Sequence, residues 1–337
     1  MTDCLYEYKE LTCGEVASLW TFYQYETLHN CGLRFFLTHV EDKEIEQLLQ
    51  ESLLVSDKRI EALKHLFTKH KQVIPQAFGE TDVHLEAKRL FSDKLYLKYI
   101  LQTLQLELTN LSVAYRDAIH EDTLYFYKEA LQDTQNLQLK AKNEAKNKGL
   151  YIPSPKIPPI EKNEFVEKET FLIGGIGKQK RPLLATEASQ LIMHAKRNAL
   201  GQAVVTAFCQ VATSKEVKRF FEKGRELASK HLHQLTSVLY EEYLSNASLL
   251  LTSEVTNSTE SPFSDKLMAI FINDLIASSL GGYGIALAMS PRKDLALLYT
   301  KLMAEVSTYA FEGSKLIIEN GWMEKPPTVA NREHLAQ

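Results

Sequence analysis

Several features that would fix the class of a protein at once are missing from this chain. Its 337 residues hold four cysteines, Cys4, Cys13, Cys31 and Cys209, and no CxxC pair. That argues against a disulfide framework or a zinc site and for a reducing compartment. Charge of one sign is also scarce. A formal net charge of −4 leaves no footprint for a polyanion, so no nucleic-acid partner is expected. No apolar run reaches the ~20 residues of a membrane span. The opening MTDCLYEYKELT is too charged for a signal peptide. A soluble, cytoplasmic protein is expected. Strand-like alternation is nearly absent, which leaves an all-α chain.

What is present is a duplication. The pentapeptide FSDKL occurs at Phe91 to Leu95 and again at Phe263 to Leu267. The same offset of 172 residues slides 14–155 onto 186–327 without a gap and gives 21 identities in 142 positions. Roughly one in sixteen would match by ordinary amino-acid usage. Glu15 falls on Glu187, Leu28 on Leu200, Asp122 on Asp294, Tyr127 on Tyr299 and Gly149 on Gly321. The expected organisation is a first unit at 1–150, a proline- and glycine-rich linker at 151–185, a second unit at 186–327 and a tail at 328–337.

Each copy reads as four helices. Thr12 with Glu15 forms a capping box for the first helix, which runs to about Val40. Asp42, aligned with Ser214, caps the second. Ser92 and Ser264 inside the repeated pentapeptide cap the third. Asp93 and Asp265 then lie on the positive end of the helix dipole, and Phe91 and Phe263 serve as staples toward Tyr96 and Met268. The fourth begins near His120 in one copy and at Ser290-Pro291 in the other. Both fourth helices end at a left-handed glycine, Gly149 or Gly321. The short connections make two helical hairpins per copy. The long segments 72–91 and 244–263 reach ~60 Å when extended, enough to run back along a ~40 Å helix. The predicted fold is therefore two tandem ferritin-like four-helix bundles, each made of two hairpins joined by a long crossover. Gly174 to Pro182 reads as an exposed basic turn. Its GGIGK lacks the GxxxxGK[ST] spacing of a phosphate-binding loop, and no strand precedes it.

Such bundles raise the question of a di-iron centre, which requires Glu-x-x-His on two helices and a Glu on each of two others. The one match is Glu26 to His29, and its counterparts are Asn198 and Gly201. The signature is absent from both copies. One polar residue per helix nevertheless falls on each apolar stripe. The first copy has Glu26, Arg59, Gln102 and Asp133, with Arg59 expected between Glu26 and Asp133. The second has Asn198, His231, Asp274 and Glu305. A hydrogen-bonded structural layer is the leading reading of this second set. The alternative is a divalent metal held by His231, Asp274 and Glu305. His65, His70 and His84 are expected to be solvated, and His194 and His233 to lie on the surface. The run IASSLGGYGIALAMS costs helix propensity at each glycine and calls for a close neighbour, from the same bundle, another bundle or chain, or a ligand.

SPFSDKLM, FSDKLY, the closing ENGWMEKPPTVANREHLA, ALGQA at Ala199 to Ala203, QVATSKEV at Gln210 to Val217 and GKQKRPL together carry a family resemblance. The chain resembles tandem ferritin-like bundle proteins of unassigned function from endospore-forming bacteria. These are often provisionally termed spore coat proteins and are distantly similar to the coat protein F family. The resemblance spans essentially the whole chain. It implies the fold and a sporulating context, including association with the spore, and it brings no catalytic residues. The function expected is that of a non-enzymatic structural or protein-interaction protein, associating with itself or with protein partners and needing no cofactor. The alternative is a metal- or small-ligand-binding bundle that uses the polar layer of the second repeat.

Overall fold

A computed structural model describes residues 10–173, 181–244 and 251–332. Among them, eight helices of 24 to 27 residues carry the fold: α1 (Cys13–Leu37), α2 (Lys43–Lys69), α3 (Asp93–Asp117), α4 (Glu121–Asn147), α6 (Ala185–Val211), α7 (Lys215–Glu241), α8 (Asp265–Ala288) and α9 (Lys293–Glu319). A single turn, α5 (Thr170–Ile173), precedes α6. The described residues contain no strand, so the chain is all-α and tandem. In the first half α1 packs on α2 and α3, and α4 on α2 and α3; α6 to α9 repeat that square.

The helix starts follow from the capping residues. Thr12 accepts from Glu15 N at 3.2 Å while Glu15 bonds back to Thr12 N at 2.9 Å. Asp42, Ser92, Ser214 and Ser264 accept from the first turns of their helices. Gly149 and Gly321 both sit at φ +68°, where only glycine rests without strain. One start differs from expectation. The cap of α9 is Arg292, aligned with His120, and not Ser290. A carboxylate from the first helix replaces a side-chain cap in both halves. Glu15 takes the N–H groups of Ile119 and His120 at 2.9 and 3.0 Å, and Glu187 takes that of Arg292 at 3.1 Å. Burial works to raise the pKa of Glu15, but the N–H groups of His120, Thr12 and Ile119 hold it well below the carboxylate range.

The crossovers do more than return the chain. They pair with each other in antiparallel bridges, Val83 with Phe263 and Phe91 with Val255. These are equivalent pairs under the 172-residue offset. Ser92 Oγ donates to Glu254 of the other crossover at 2.7 Å, and Ser264 Oγ donates to Asp82 at 2.7 Å. Lys88 and Glu260 occupy the same repeat position and pair with each other at 2.6 Å. So do Tyr99 and Phe271, with ring centroids 6.0 Å apart. A residue can meet its own repeat equivalent only beside a two-fold axis, so the halves are related by an internal pseudo-dyad. The repeated FSDKL is thus a helix cap and a junction at once. Asp93 accepts the backbone of Asp42 and Asp265 that of Ser214, tying each α3 or α8 to the neighbouring hairpin turn. Phe91 packs against Phe36, and Phe263 against Phe35 and Phe208. Buried apolar residues of both halves form one continuous core, with a smaller cluster around Leu19, Phe67 and Phe126 at the far end of the first half.

Among the described residues one helix, α8, is long and apolar enough to cross a membrane; it packs on α6 and α9. The tails after α4 and α9 cross to the opposite half. Lys196 on α6 bonds the carbonyl of Ile152, and Gln24 on α1 bonds Glu324 at 3.4 Å.

Because Ser92 and Ser264 both cap and bridge, Ser92→Ala should destabilise the chain by roughly 1–3 kcal/mol, combining a lost cap with a lost charged hydrogen bond. Ser214→Ala, which loses only a cap, should cost less. Urea midpoints of the two variants test this, and equal losses would remove the junction role.

Candidate functional site

Equivalent points of the two halves have opposite interiors. In the first, Arg59 on α2 is buried and its Nη1 donates to Glu26 at 2.9 Å and Glu107 at 3.1 Å. Its Nη2 donates to Thr134 Oγ1 at 2.6 Å and to the carbonyl of Ala130 at 2.8 Å. Tyr25 donates to the other oxygen of Glu107 at 3.2 Å, and His29 bonds Tyr99 at 3.0 Å. Two carboxylates share one guanidinium in a dry interior. Burial, opposed by Arg59 and reinforced by Glu107, raises the Glu26 pKa to about 7.

The expectation for this layer was right for Glu26 and Arg59 and wrong for the other two. Gln102 points out of its bundle and donates to the Lys196 carbonyl of the other half at 3.0 Å. Asp133 pairs with Lys58 at 3.3 Å on the outer side of the bundle. Glu107 and Thr134, five residues and one residue further along, hold the inner positions.

In the second half, Glu26, His29, Arg59, Glu107 and Thr134 become Asn198, Gly201, His231, Ser279 and Val306. The filled network gives way to a cavity of about 120 Å³ lined by all five replacements and by Arg197, Ser278, Tyr283 and apolar side chains. Tyr99, Gln102, Thr103 and Leu106 of α3 also line it, so both halves build its wall. His231 is buried, with Nδ1 3.2 Å from the Tyr283 hydroxyl and Nε2 3.0 Å from Glu305. Burial depresses its pKa against the pull of Glu305. Asn198 donates to the Tyr283 hydroxyl at 2.8 Å.

Of the predicted ligand set, the structure joins His231 to Glu305 and leaves Asp274 out. Asp274 lies on an exposed side of α8. Glu305 is already shared with Lys230 at 2.7 Å. Among the described residues no group of three His, Cys, Asp or Glu side chains is placed to hold a metal ion. The assembled unit is instead a neutral hydrogen-bonded layer of Asn198, Tyr283 and His231 with Glu305 at its edge. Tyr283 escaped the sequence reading because its counterpart is the aliphatic Leu111.

Two histidines also depart from expectation. His194 is buried and hydrogen-bonds the Gly282 carbonyl at 3.1 Å, with burial lowering its pKa to about 4. His70 is mostly buried and bonds Asp122 at 2.7 Å. The close neighbour required by the glycines of α8 lies in the same half at Gly282. A Cβ there would stand 2.7 Å from His194 and 2.8 Å from Arg197, whereas one on Gly281 would meet nothing within 4 Å. Most of the basic turn, 174–180, lies outside the described residues. Its Arg181 forms a two-pronged pair with Glu187 at 2.8 and 2.9 Å.

These features define an all-α tandem protein whose repeats share one core and differ at one interior point. The model of a family described as a protein of unknown function, DUF3231, matches residues 1–162 and again 172–335, and the chain belongs to that family. A solved structure from Bacillus halodurans, provisionally described as a spore coat protein, is similar at 24% identity with a TM-score of 0.38. The match covers 46% of this chain and 97% of that one. No curated protein matches.

The raised Glu26 pKa has a definite linkage. Between about pH 4.5 and 7 the folded chain keeps a proton that the unfolded chain has released. This contribution to stability is therefore full at and below pH 4.5 and is lost as pH rises to 7. Glu26→Gln should remove it, so the variant should gain on the wild type from pH 5 to 7.5 in paired urea titrations. A constant difference across that range would mean that Glu26 stays ionised. Arg59→Met leaves two carboxylates buried without their cation and should cost about 3–5 kcal/mol at pH 7.5.

Proposed function

We propose that the chain is a non-enzymatic binding protein in which the first half is a locked scaffold and the second a small-ligand receptor. The observation that carries this reading is the hollowing of one repeat where the other is filled. Glycine and serine at 201 and 279 replace histidine and glutamate at 29 and 107. The resulting space opens among α3, α6, α7, α8 and α9, and its lining residues come from both halves. Drift that merely eroded a bundle would be expected to collapse such space, because cavities cost stability in proportion to their volume. His231 supports binding over proton transfer, since burial favours its neutral form and both ring nitrogens are engaged.

In this reading the second half signals through contacts with protein partners or with another copy of the chain, and a sporulation setting follows the family resemblance. Sedimentation velocity with and without ligand, and immunodetection in sporulating against vegetative cells, bear on those two points. The pocket itself has a direct test. Gly201 has open space where a Cβ would stand, so Gly201→Leu should fill the cavity, improve helix propensity by ~1 kcal/mol and raise the melting temperature. Binding of a neutral probe of the cavity, benzyl alcohol, should vanish in the variant. Strong destabilisation by leucine, or a wild type that takes up no probe, would overturn the reading.

A further inference from the structure

Arg197 on α6 is the unusual group in this cavity. It is half-buried and makes no hydrogen bond or ion pair with any described residue. The arginines most like it are all engaged: Arg59 by two carboxylates, Arg181 by Glu187, Arg292 by Glu242 and Asp294, and Arg89 by Glu41 and Asp93. Among the described residues, no aspartate or glutamate lines the cavity. The neighbours that constrain the guanidinium are uncharged: it lies against Gly282, where a Cβ would come within 2.8 Å of Nη1, and Tyr283 is the acidic group whose field reaches it. Burial lowers its pKa, the sign of a cation held from water without a counter-charge. Burying a guanidinium unpaired is costly. Its counterpart in the locked half is the uncharged Tyr25, so the charge and the hollow occur in the same half.

The other lining groups narrow the chemistry. Asn198 donates to the His194 carbonyl and the Tyr283 hydroxyl. Ser278 and Ser279 donate to the carbonyls of Asp274 and Leu275. The free donors are therefore those of Arg197, and the rest of the wall is chiefly apolar, with Leu106, Leu200, Val204, Val205, Phe271 and Ile276. A cavity of about 120 Å³ is close to the ~150 Å³ void that holds a benzene ring in another protein. Inorganic anions would gain nothing from such a wall, and a neutral hydrocarbon would leave the guanidinium bare.

Building on the receptor reading above, we infer that the cavity binds a small apolar monocarboxylate about the size of benzoate. Its carboxylate would pair with Arg197, and its hydrocarbon body would fill the space left by Gly201 and Ser279. A planar guanidinium matches a carboxylate in a two-pronged geometry that a tyrosine or lysine could not reproduce.

Calorimetric titration of the full chain with benzoate and with benzyl alcohol at constant ionic strength tests this. Benzoate should bind the wild type at one site and roughly 10- to 100-fold more tightly than the alcohol, the range for a hydrogen bond to a charged group. Arg197→Met keeps the length and apolar stem of the side chain. It should erase the preference for the acid while leaving the alcohol bound. Gly201→Leu should abolish both. Equal affinity for acid and alcohol in the wild type, or an acid preference that survives Arg197→Met, overturns the carboxylate assignment and leaves the receptor reading intact. Failure of the wild type to bind either probe overturns both. Should Arg197→Met not fold, the acid-to-alcohol ratio in the wild type still decides.

Discussion

Everything in the molecule is organised by the reciprocal bond between the two crossovers. Ser92 reaches Glu254 and Ser264 reaches Asp82, each serine being the cap of a helix in its own half. The same few residues thus set where α3 and α8 begin and how the halves face each other. With the junction fixed, Tyr99 meets Phe271, Lys88 meets Glu260, and α3 packs on α6 across the two halves. Each tail then crosses to the opposite half. A duplicated bundle that could have hung as two beads became one body with an internal two-fold relation.

That relation gives each interior position a control. Surface pairs keep the contact even where the residues differ. Lys140 pairs with Glu51 at 2.6 Å, and the equivalent pair is Glu312 with Lys223 at 2.8 Å, the charges exchanged. Lys58–Asp133 and Lys230–Glu305 keep their polarity. At mid-bundle the contacts themselves differ between the halves. One copy concentrates charge around Arg59; the other has Asn198, Gly201, His231, Ser279 and Val306 at the equivalent positions, beside a hollow that Arg197 enters from α6. Division of labour between scaffold and receptor is the reading these changes support.

Legibility from sequence followed the number of faces each helix buries. α2 and α7 bury one stripe, and Arg59 and His231 were placed correctly on it. α3 also packs on α6 of the opposite half, and α8 carries apolar residues around most of its circumference. A projection then cannot say which polar residue looks inward. Glu107 faces inward where the pattern points to Gln102, because Gln102 is turned toward Lys196 across the junction. Asp274 was misplaced by the same error on the equivalent helix. The burial of His194 is not legible along α6, because the space that admits it is made by Gly282 on a different helix.

Local chemistry could be read directly. The Thr12–Glu15 box, the serine and aspartate caps, the left-handed glycines and the 172-residue offset depend on residues within a few positions of each other or on simple comparison, and they established the helices and the duplication. The docking of one half on the other, the double duty of Glu15 and Glu187, and the cavity with its unpaired arginine arise where side chains distant in the chain meet. Their energies depend on what surrounds them after folding, since burial decides whether a guanidinium is a solvated charge or an unsatisfied one. Tertiary structure alone could therefore decide that the second repeat is hollow and that Arg197 stands in it without a counter-ion among the described residues.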